Sequence, residues 1–119
     1  MPNPVTHFEI IGKDAKKLQT FYSGLFGWKV DTNNPMNYGM VEAQDTKGIG
    51  GGIAGAQEGG NGYVTVYIEV DDPQAALDKA VSLGGKVVMP VTTIPDAVTL
   101  AQFTDPEGNL IGIVKSGMM

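Results

Sequence analysis

The chain has 119 residues with eight lysines, no arginine, 13 acidic residues and no cysteine, which gives a formal net charge of −5. This length suits one domain, and an apolar content of 42% supports a packed core. An acidic chain without arginine lacks the basic surface that binds phosphate backbones, so we do not expect nucleic acid as a partner. The absence of cysteine excludes disulfides, thiolate metal sites and cysteine nucleophiles.

No apolar run reaches the roughly 18 residues that a membrane helix needs. The N-terminal segment MPNPVTHFEI lacks the basic-then-apolar pattern of a signal peptide. We therefore expect a soluble protein with no membrane partner. The lack of cysteine fits the reducing cytoplasm, which is the expected location.

The first half of the chain predicts one helix and four strands. Asp14 is placed to cap a helix over residues 15–26, and Gly27 is placed to end it. The helical apolar residues recur at i, i+3, i+4, i+7 and i+8, so one face is predicted to pack on a sheet. They are Leu18, Phe21, Tyr22, Leu25 and Phe26. The strands are predicted at residues 4–11, 28–30, 38–43 and 49–55.

The second half repeats this order. Asp72 followed by Pro73 is typical of a helix start, and the pair Gly84-Gly85 ends that helix. Strands are predicted at residues 63–70, 86–90, 98–104 and 110–115, and the last two are joined by a turn over residues 105–109. A shift of 58 residues places Asp14 on Asp72 and ends both helices at glycine, which indicates a duplicated unit.

These elements predict an α+β fold of two paired βαβββ modules, at about residues 1–58 and 59–119, within a single domain over residues 1–119. Each module covers one face of its sheet with a helix. The paired modules are expected to form curved mixed sheets around a cleft where a small molecule binds. Whether the modules pair within one chain or between two chains stays open.

Five segments in this order resemble the vicinal oxygen chelate superfamily, which includes glyoxalase I, the extradiol dioxygenases and the bleomycin resistance proteins. They are VTHFEI, FYSGLFGW, VYIEVDD, LGGKVV and FTDPEGNLIGIV. The resemblance covers nearly the whole chain and implies a glyoxalase-like domain. It also implies a small-molecule ligand and a homodimer. One scaffold hosts several chemistries in this superfamily, so the fold does not decide the reaction.

The resemblance also implies four positions that hold a divalent metal in metal-dependent members, two from each module. In this chain those positions fall on His7, within residues 50–52, on Thr65 and on Gly112. Only His7 is a strong donor, and one imidazole cannot hold a metal alone. We therefore expect no cofactor. A divalent metal remains an alternative, with His7 as a ligand and other donors from the same cleft.

His7 and Glu9 are the candidate catalytic residues, since strand alternation places both side chains on one face. Two interpretations of His7 stay open: a general base or polar contact in the cleft, or a hydrogen-bonded strand residue. The candidate ligand-binding residues follow from strand positions that present aromatic or polar side chains. They are Tyr38, Glu42, Thr65, Tyr67 and Phe103. Aromatic walls with a few acids suit a flat or cationic molecule.

Eight of the 17 glycines lie within residues 48–62. They predict a weak strand followed by a flexible linker, or space in the cleft where a ligand can approach the backbone. Two functions remain. The first is a glyoxalase/bleomycin-resistance-like protein that binds a small organic molecule without a metal. The second is a divalent-metal lyase or isomerase of the glyoxalase type. Whether the protein is an enzyme stays open.

Overall fold

A computed structural model describes residues 2–56 and 60–117. Its elements are β1 (Val5–Gly12), α1 (Ala15–Phe26), β2 (Val30–Asp31), β3 (Gly39–Val41), β4 (Gly50–Gly55), β5 (Tyr63–Val70), α2 (Pro73–Ser82), β6 (Lys86–Ile94), β7 (Val98–Thr104) and β8 (Leu110–Lys115). The order βαβββ occurs twice, so the predicted α+β class is confirmed. Neither helix in the described part of the chain is long and apolar enough to cross a membrane.

The chain divides into two compact units, residues 7–64 and residues 1–6 with 65–119. In the unit of residues 7–64, the strands follow the order β2-β3-β4-β1. Strands β1 and β4 are parallel, and their register pairs His7 with Gly50 and Glu9 with Gly52. Parallel neighbours need a crossover, which helix α1 provides.

Helix α1 begins and ends where the sequence predicts. The carboxylate of Asp14 accepts a hydrogen bond from the Lys17 backbone N–H at 3.0 Å and so satisfies a donor of the first turn. At the other end Gly27 has a φ of +72°, and its N–H donates to the Ser23 carbonyl at 2.9 Å. A positive φ at this position favours glycine, which explains the C-cap.

The prediction that the apolar face of α1 packs on the sheet is wrong for three residues, which are exposed instead. Phe21 and Leu25 are each 58% exposed and Phe26 is 56% exposed. Instead, Leu18 lies against Gly12, and the Gln19 amide donates to the Ile53 carbonyl at 2.8 Å. Because that carbonyl satisfies Gln19, a polar residue takes the inward position and the helix turns its large apolar residues outward.

The unit of residues 1–6 and 65–119 has the strand order β5-β8-β7-β6, with β5 and β8 parallel. Two buried clusters form its core, and helix α2 contributes Leu77 to one of them. The first cluster contains Tyr67, Val98, Leu100 and Val114; the second contains Val70, Leu77, Ala101 and Ile113. Strand β6 runs to Ile94, four residues beyond its predicted end.

Candidate functional site

Strand β1 places His7 and Glu9 on its buried face. Along β1 the buried residues alternate with partly buried ones, and His7 and Glu9 are only 3% and 7% exposed. Two buried polar side chains on one strand are unusual and need hydrogen-bond partners. Their neighbours across the ladder, Gly50 and Gly52, carry no side chains.

Two tyrosines supply these partners. The Tyr38 hydroxyl lies 3.0 Å from His7 Nε2 and donates to Glu9 Oε2 at 2.9 Å. The Tyr63 hydroxyl donates to Glu9 Oε1 at 2.9 Å. The Tyr38 hydroxyl has one proton, and it donates that hydrogen bond to Glu9. The hydroxyl oxygen therefore accepts the hydrogen bond from His7, which places the proton of a neutral His7 on Nε2. The four side chains form one network, the His7 network.

Burial lowers the pKa of His7 to about 4 from 6.5, because removal from water disfavours the charged imidazolium. At neutral pH the imidazole is therefore uncharged. Each carboxylate oxygen of Glu9 accepts a hydrogen bond from a tyrosine hydroxyl. This arrangement can bind a polar group or relay a proton without a metal.

The ring of Tyr38 fills the space that Gly52 leaves free. A Cβ atom at Gly52 would overlap the phenol oxygen and ring carbons of Tyr38. Asn34 fixes the backbone of Tyr38 from both sides: its Nδ2 donates to the Tyr38 carbonyl at 2.7 Å, and its Oδ1 accepts from the Tyr38 N–H at 2.9 Å. Asn34 and Tyr63 have no part in the predicted site. The available signal for Asn34 is an asparagine before proline, which is typical of turns.

In the unit of residues 1–6 and 65–119, a tyrosine ring likewise occupies the space beside a glycine. The ring of Tyr67 lies over its ladder partner Gly112, where a Cβ atom would overlap it. Tyr67 is 2% exposed, and its hydroxyl accepts a hydrogen bond from the Gln102 amide at 2.8 Å. The Thr65 hydroxyl donates to the Leu110 carbonyl at 2.6 Å. Tyr67 and Thr65 therefore have structural contacts within their own unit.

The predicted site residues divide into three groups. His7, Glu9 and Tyr38 come together in the His7 network. Glu42 is exposed and follows the end of β3, so it lies outside that network. The remaining three belong to the second unit: Thr65, Tyr67 and Phe103, of which Phe103 packs against the cluster that contains Leu77. Their roles stay predictions.

Rings of the same chain occupy the space that three of the glycines leave. Tyr38 fills the space at Gly52, Phe8 fills the space at Gly51, and Tyr67 fills the space at Gly112. Each missing side chain is replaced by an aromatic ring of the same chain. The expected flexible linker falls partly on residues 57–59, which lie outside the described residues.

The residues at the four metal positions do not fit a divalent ion. His7 Nε2 is hydrogen-bonded to Tyr38, and the Thr65 hydroxyl is bound to a backbone carbonyl. Rings lie over Gly52 and Gly112, which have no donors of their own. Within residues 2–56 and 60–117, no three histidine, aspartate or glutamate side chains group in a way that could hold a metal.

Comparisons with known proteins agree with this fold. The family model described as Glyoxalase/Bleomycin resistance protein/Dioxygenase superfamily matches residues 5–113. A candidate glyoxylase of Mycobacterium tuberculosis, CFP32, is 37% identical over 107 residues, which cover 84% of this chain and 41% of CFP32. The anthracycline biosynthesis protein DnrV of Streptomyces peucetius is 25% identical over 134 residues, covering 99% of this chain and 49% of DnrV. The chain thus spans about half the length of these curated relatives.

A solved structure shares the fold at low identity. Methylmalonyl-CoA epimerase from Mycobacterium tuberculosis superposes with a TM-score of 0.63 at 15% identity. The match covers 93% of this chain and 86% of the epimerase chain. At this identity the likeness concerns the fold alone.

Proposed function

Because the chain belongs to the glyoxalase/bleomycin resistance protein/dioxygenase superfamily, we propose that it binds a small organic molecule without a divalent metal. The proposed site is the part of unit 7–64 that carries the His7 network. Binding there uses the neutral imidazole of His7, the carboxylate of Glu9 and the two tyrosine hydroxyls. The proposal concerns this chain, which spans about half of its curated relatives.

One observation carries the proposal. The only metal-position residue with a strong donor is His7, and its Nε2 is bound to the Tyr38 hydroxyl rather than left open toward an ion. A metal at Nε2 would have to displace Tyr38 and would gain no second strong donor from Gly52, Thr65 or Gly112. The same side chains offer both donors and acceptors to an organic ligand.

The test combines metal analysis with a ligand screen. Untagged protein is purified in metal-supplemented buffer and analysed for zinc, nickel, manganese and iron, with His7→Ala as the comparison. We expect well under one metal ion per chain in both proteins. A library of small organic molecules is then screened by thermal shift with and without EDTA, and we expect stabilisation that EDTA does not change. One metal ion per chain that disappears in His7→Ala would establish the metal-dependent alternative instead.

Metal-free acid–base catalysis is a second candidate at the same residues. It is favoured by the continuous hydrogen bonds from His7 through Tyr38 to Glu9, along which a proton can move. The similarity to a candidate glyoxylase makes glyoxal a reasonable first substrate to assay. A catalytic network predicts turnover in EDTA that falls at least 100-fold in both His7→Gln and Glu9→Gln, with unchanged turnover in the exposed-site control Lys16→Gln. Absence of turnover leaves binding as the function.

We also propose that the chain forms a homodimer. Phe21, Leu25 and Phe26 are each more than half exposed, and together they form an apolar stripe on α1. Large exposed apolar groups on one face are typical of an interaction surface.

A further inference from the structure

With the His7 proton on Nε2, the position between His7 and Glu9 fits a hydroxyl group. There Glu9 Oε2 accepts a hydrogen bond from the Tyr38 hydroxyl, and His7 Nε2–H donates a hydrogen bond to the Tyr38 hydroxyl oxygen. A carbonyl group could accept from His7 but could not donate to Glu9. An ammonium group could donate to Glu9 but could not accept from His7. A hydroxyl group does both, as the Tyr38 phenol does.

The space around this hydroxyl is shaped for a flat ring. Gly52 lies directly against the phenol, and a side chain there would overlap it. The His7 imidazole lies nearly parallel to the Tyr38 ring, with an interplanar angle of 18° and ring centroids 6.2 Å apart. The polar pair of His7 and Glu9 with the bare backbone of Gly52 therefore forms a phenol cradle, which Tyr38 now occupies.

Tyr38 is the half-buried member of the network that lies in a loop. His7 and Glu9 lie on β1 and are almost fully buried, whereas Tyr38 is half-buried and precedes β3 in the segment that follows β2. Asn34 holds the Tyr38 backbone on both sides. A rotation of the Tyr38 side chain would move its hydroxyl away from His7 and Glu9 and would keep these two backbone hydrogen bonds.

We propose, on the basis of the binding function argued above, that the ligand is a flat hydroxylated molecule such as a phenol. Its hydroxyl takes the place of the Tyr38 hydroxyl between His7 and Glu9, and its ring takes the place of the Tyr38 ring over Gly52. Tyr38 occupies the cradle in the absence of ligand and competes with it. Since the ligand binds only while Tyr38 is out of the cradle, the apparent association constant equals the intrinsic one multiplied by the fraction of time that the cradle is vacant.

The cradle is tested in Tyr38→Gly with p-cresol, which is the side chain that this substitution removes. We expect p-cresol to bind this variant at least tenfold more tightly than toluene in calorimetric titration, because only p-cresol restores both hydrogen bonds. Adding Glu9→Gln should reduce this preference at least threefold, since an amide oxygen accepts less strongly than a carboxylate. Equal affinity for p-cresol and toluene in Tyr38→Gly overturns the proposal.

Displacement is tested in the full chain without substitution. Titration of p-cresol, followed by NMR with labelled tyrosine, should shift the Tyr38 ring signals, with an affinity at least fivefold weaker than that of Tyr38→Gly. If Tyr38→Gly does not fold, Tyr38→Phe replaces it, because this variant keeps the ring and loses only the competing hydroxyl. It should bind p-cresol at least threefold more tightly than the unsubstituted protein.

Two results distinguish this proposal from the proposed function. If a molecule from the thermal-shift screen binds while the Tyr38 signals do not change, the phenol cradle is overturned and the binding function stands. If p-cresol binds only to Tyr38→Gly, Tyr38 is a permanent part of the structure and displacement is overturned. If the unsubstituted protein binds no molecule in the screen or in the p-cresol titration, the proposed function itself fails.

Discussion

At the scale of single residues, the buried imidazole of His7 links stability to pH. Its pKa is about 4 in the folded chain and 6.5 when solvated, so between these values the unfolded chain binds more protons. The stability is therefore fully present above pH 6.5 and is lost as the pH falls toward 4. We expect His7 alone to lower the free energy of unfolding by about 2–3 kcal/mol between pH 7 and pH 4.

The measurement is urea unfolding at half-unit steps from pH 4 to pH 7.5. His7→Gln is the control, since its amide N–H can still donate to Tyr38 but cannot take up a proton in this range. The two proteins differ only at residue 7, so the difference between the two curves isolates His7. Parallel curves would show that His7 contributes nothing to the pH dependence.

The contact between Tyr38 and Gly52 predicts strong coupling between these two residues. Gly52→Ala should lower the free energy of unfolding by about 1–3 kcal/mol, because the new methyl group displaces the phenol and breaks its hydrogen bonds. In the Tyr38→Ala background, the same substitution should cost at most about 0.5 kcal/mol, which gives a coupling energy of at least about 1 kcal/mol. Denaturant unfolding of the four proteins measures it. Additive effects would mean that Tyr38 does not occupy this space in solution.

The contact between Tyr38 and Gly52 also shows which parts of the site can be predicted from residue patterns. Alternation along β1 suffices to place His7 and Glu9 on one face. The partnership with Tyr38 depends on the register of β1 and β4 and on the turn that Asn34 holds, and neither follows from local sequence. Missing side chains at glycine suggest empty space, whereas close packing favours filling that space with a ring of the same chain.

At the scale of an element, α1 contains two glycines that differ only in backbone conformation. A Cβ atom would meet no neighbour within 4 Å at either Gly24 or Gly27. Gly24 lies inside the helix, where alanine is favoured, so Gly24→Ala should stabilise the protein by about 0.5–1 kcal/mol. Gly27 has a φ of +72°, so Gly27→Ala should destabilise it by about 1 kcal/mol. Thermal unfolding of the two variants checks both signs, and equal shifts would contradict the assigned helix end.

Helix α1 also shows why the first and last residues of a helix are easier to predict than its buried face. Caps are local, so Asp14 and Gly27 predict the first and last residues of α1 correctly. The buried face depends on hydrogen-bond partners in other elements. Gln19 faces inward because the Ile53 carbonyl accepts a hydrogen bond from its side-chain amide. Periodicity indicates where apolar residues lie on the helix, but it does not indicate whether a neighbouring polar side chain has a hydrogen-bond acceptor.

At the scale of the whole molecule, the exposed apolar surface of α1 bears on assembly. Helix α1 exposes three large apolar side chains, Phe21, Leu25 and Phe26. Burial of such side chains contributes about 1–2 kcal/mol each, which is enough for a few of them to dominate an interface. The apolar stripe on α1 therefore favours self-association.

We therefore expect a dimer at micromolar concentration in sedimentation velocity, with Phe21 and Leu25 at the interface. The double substitution Phe21→Ser and Leu25→Ser should weaken dimerisation at least tenfold, because each copy loses two apolar contacts. Both residues are 58% exposed, so the secondary structure measured by circular dichroism should not change. Val64→Ser is the matched control, since Val64 is 71% exposed and lies away from α1 in sequence. An unsubstituted chain that stays monomeric at 100-fold higher concentration, or a dimer that Val64→Ser weakens equally, would exclude the α1 stripe as the dimer interface.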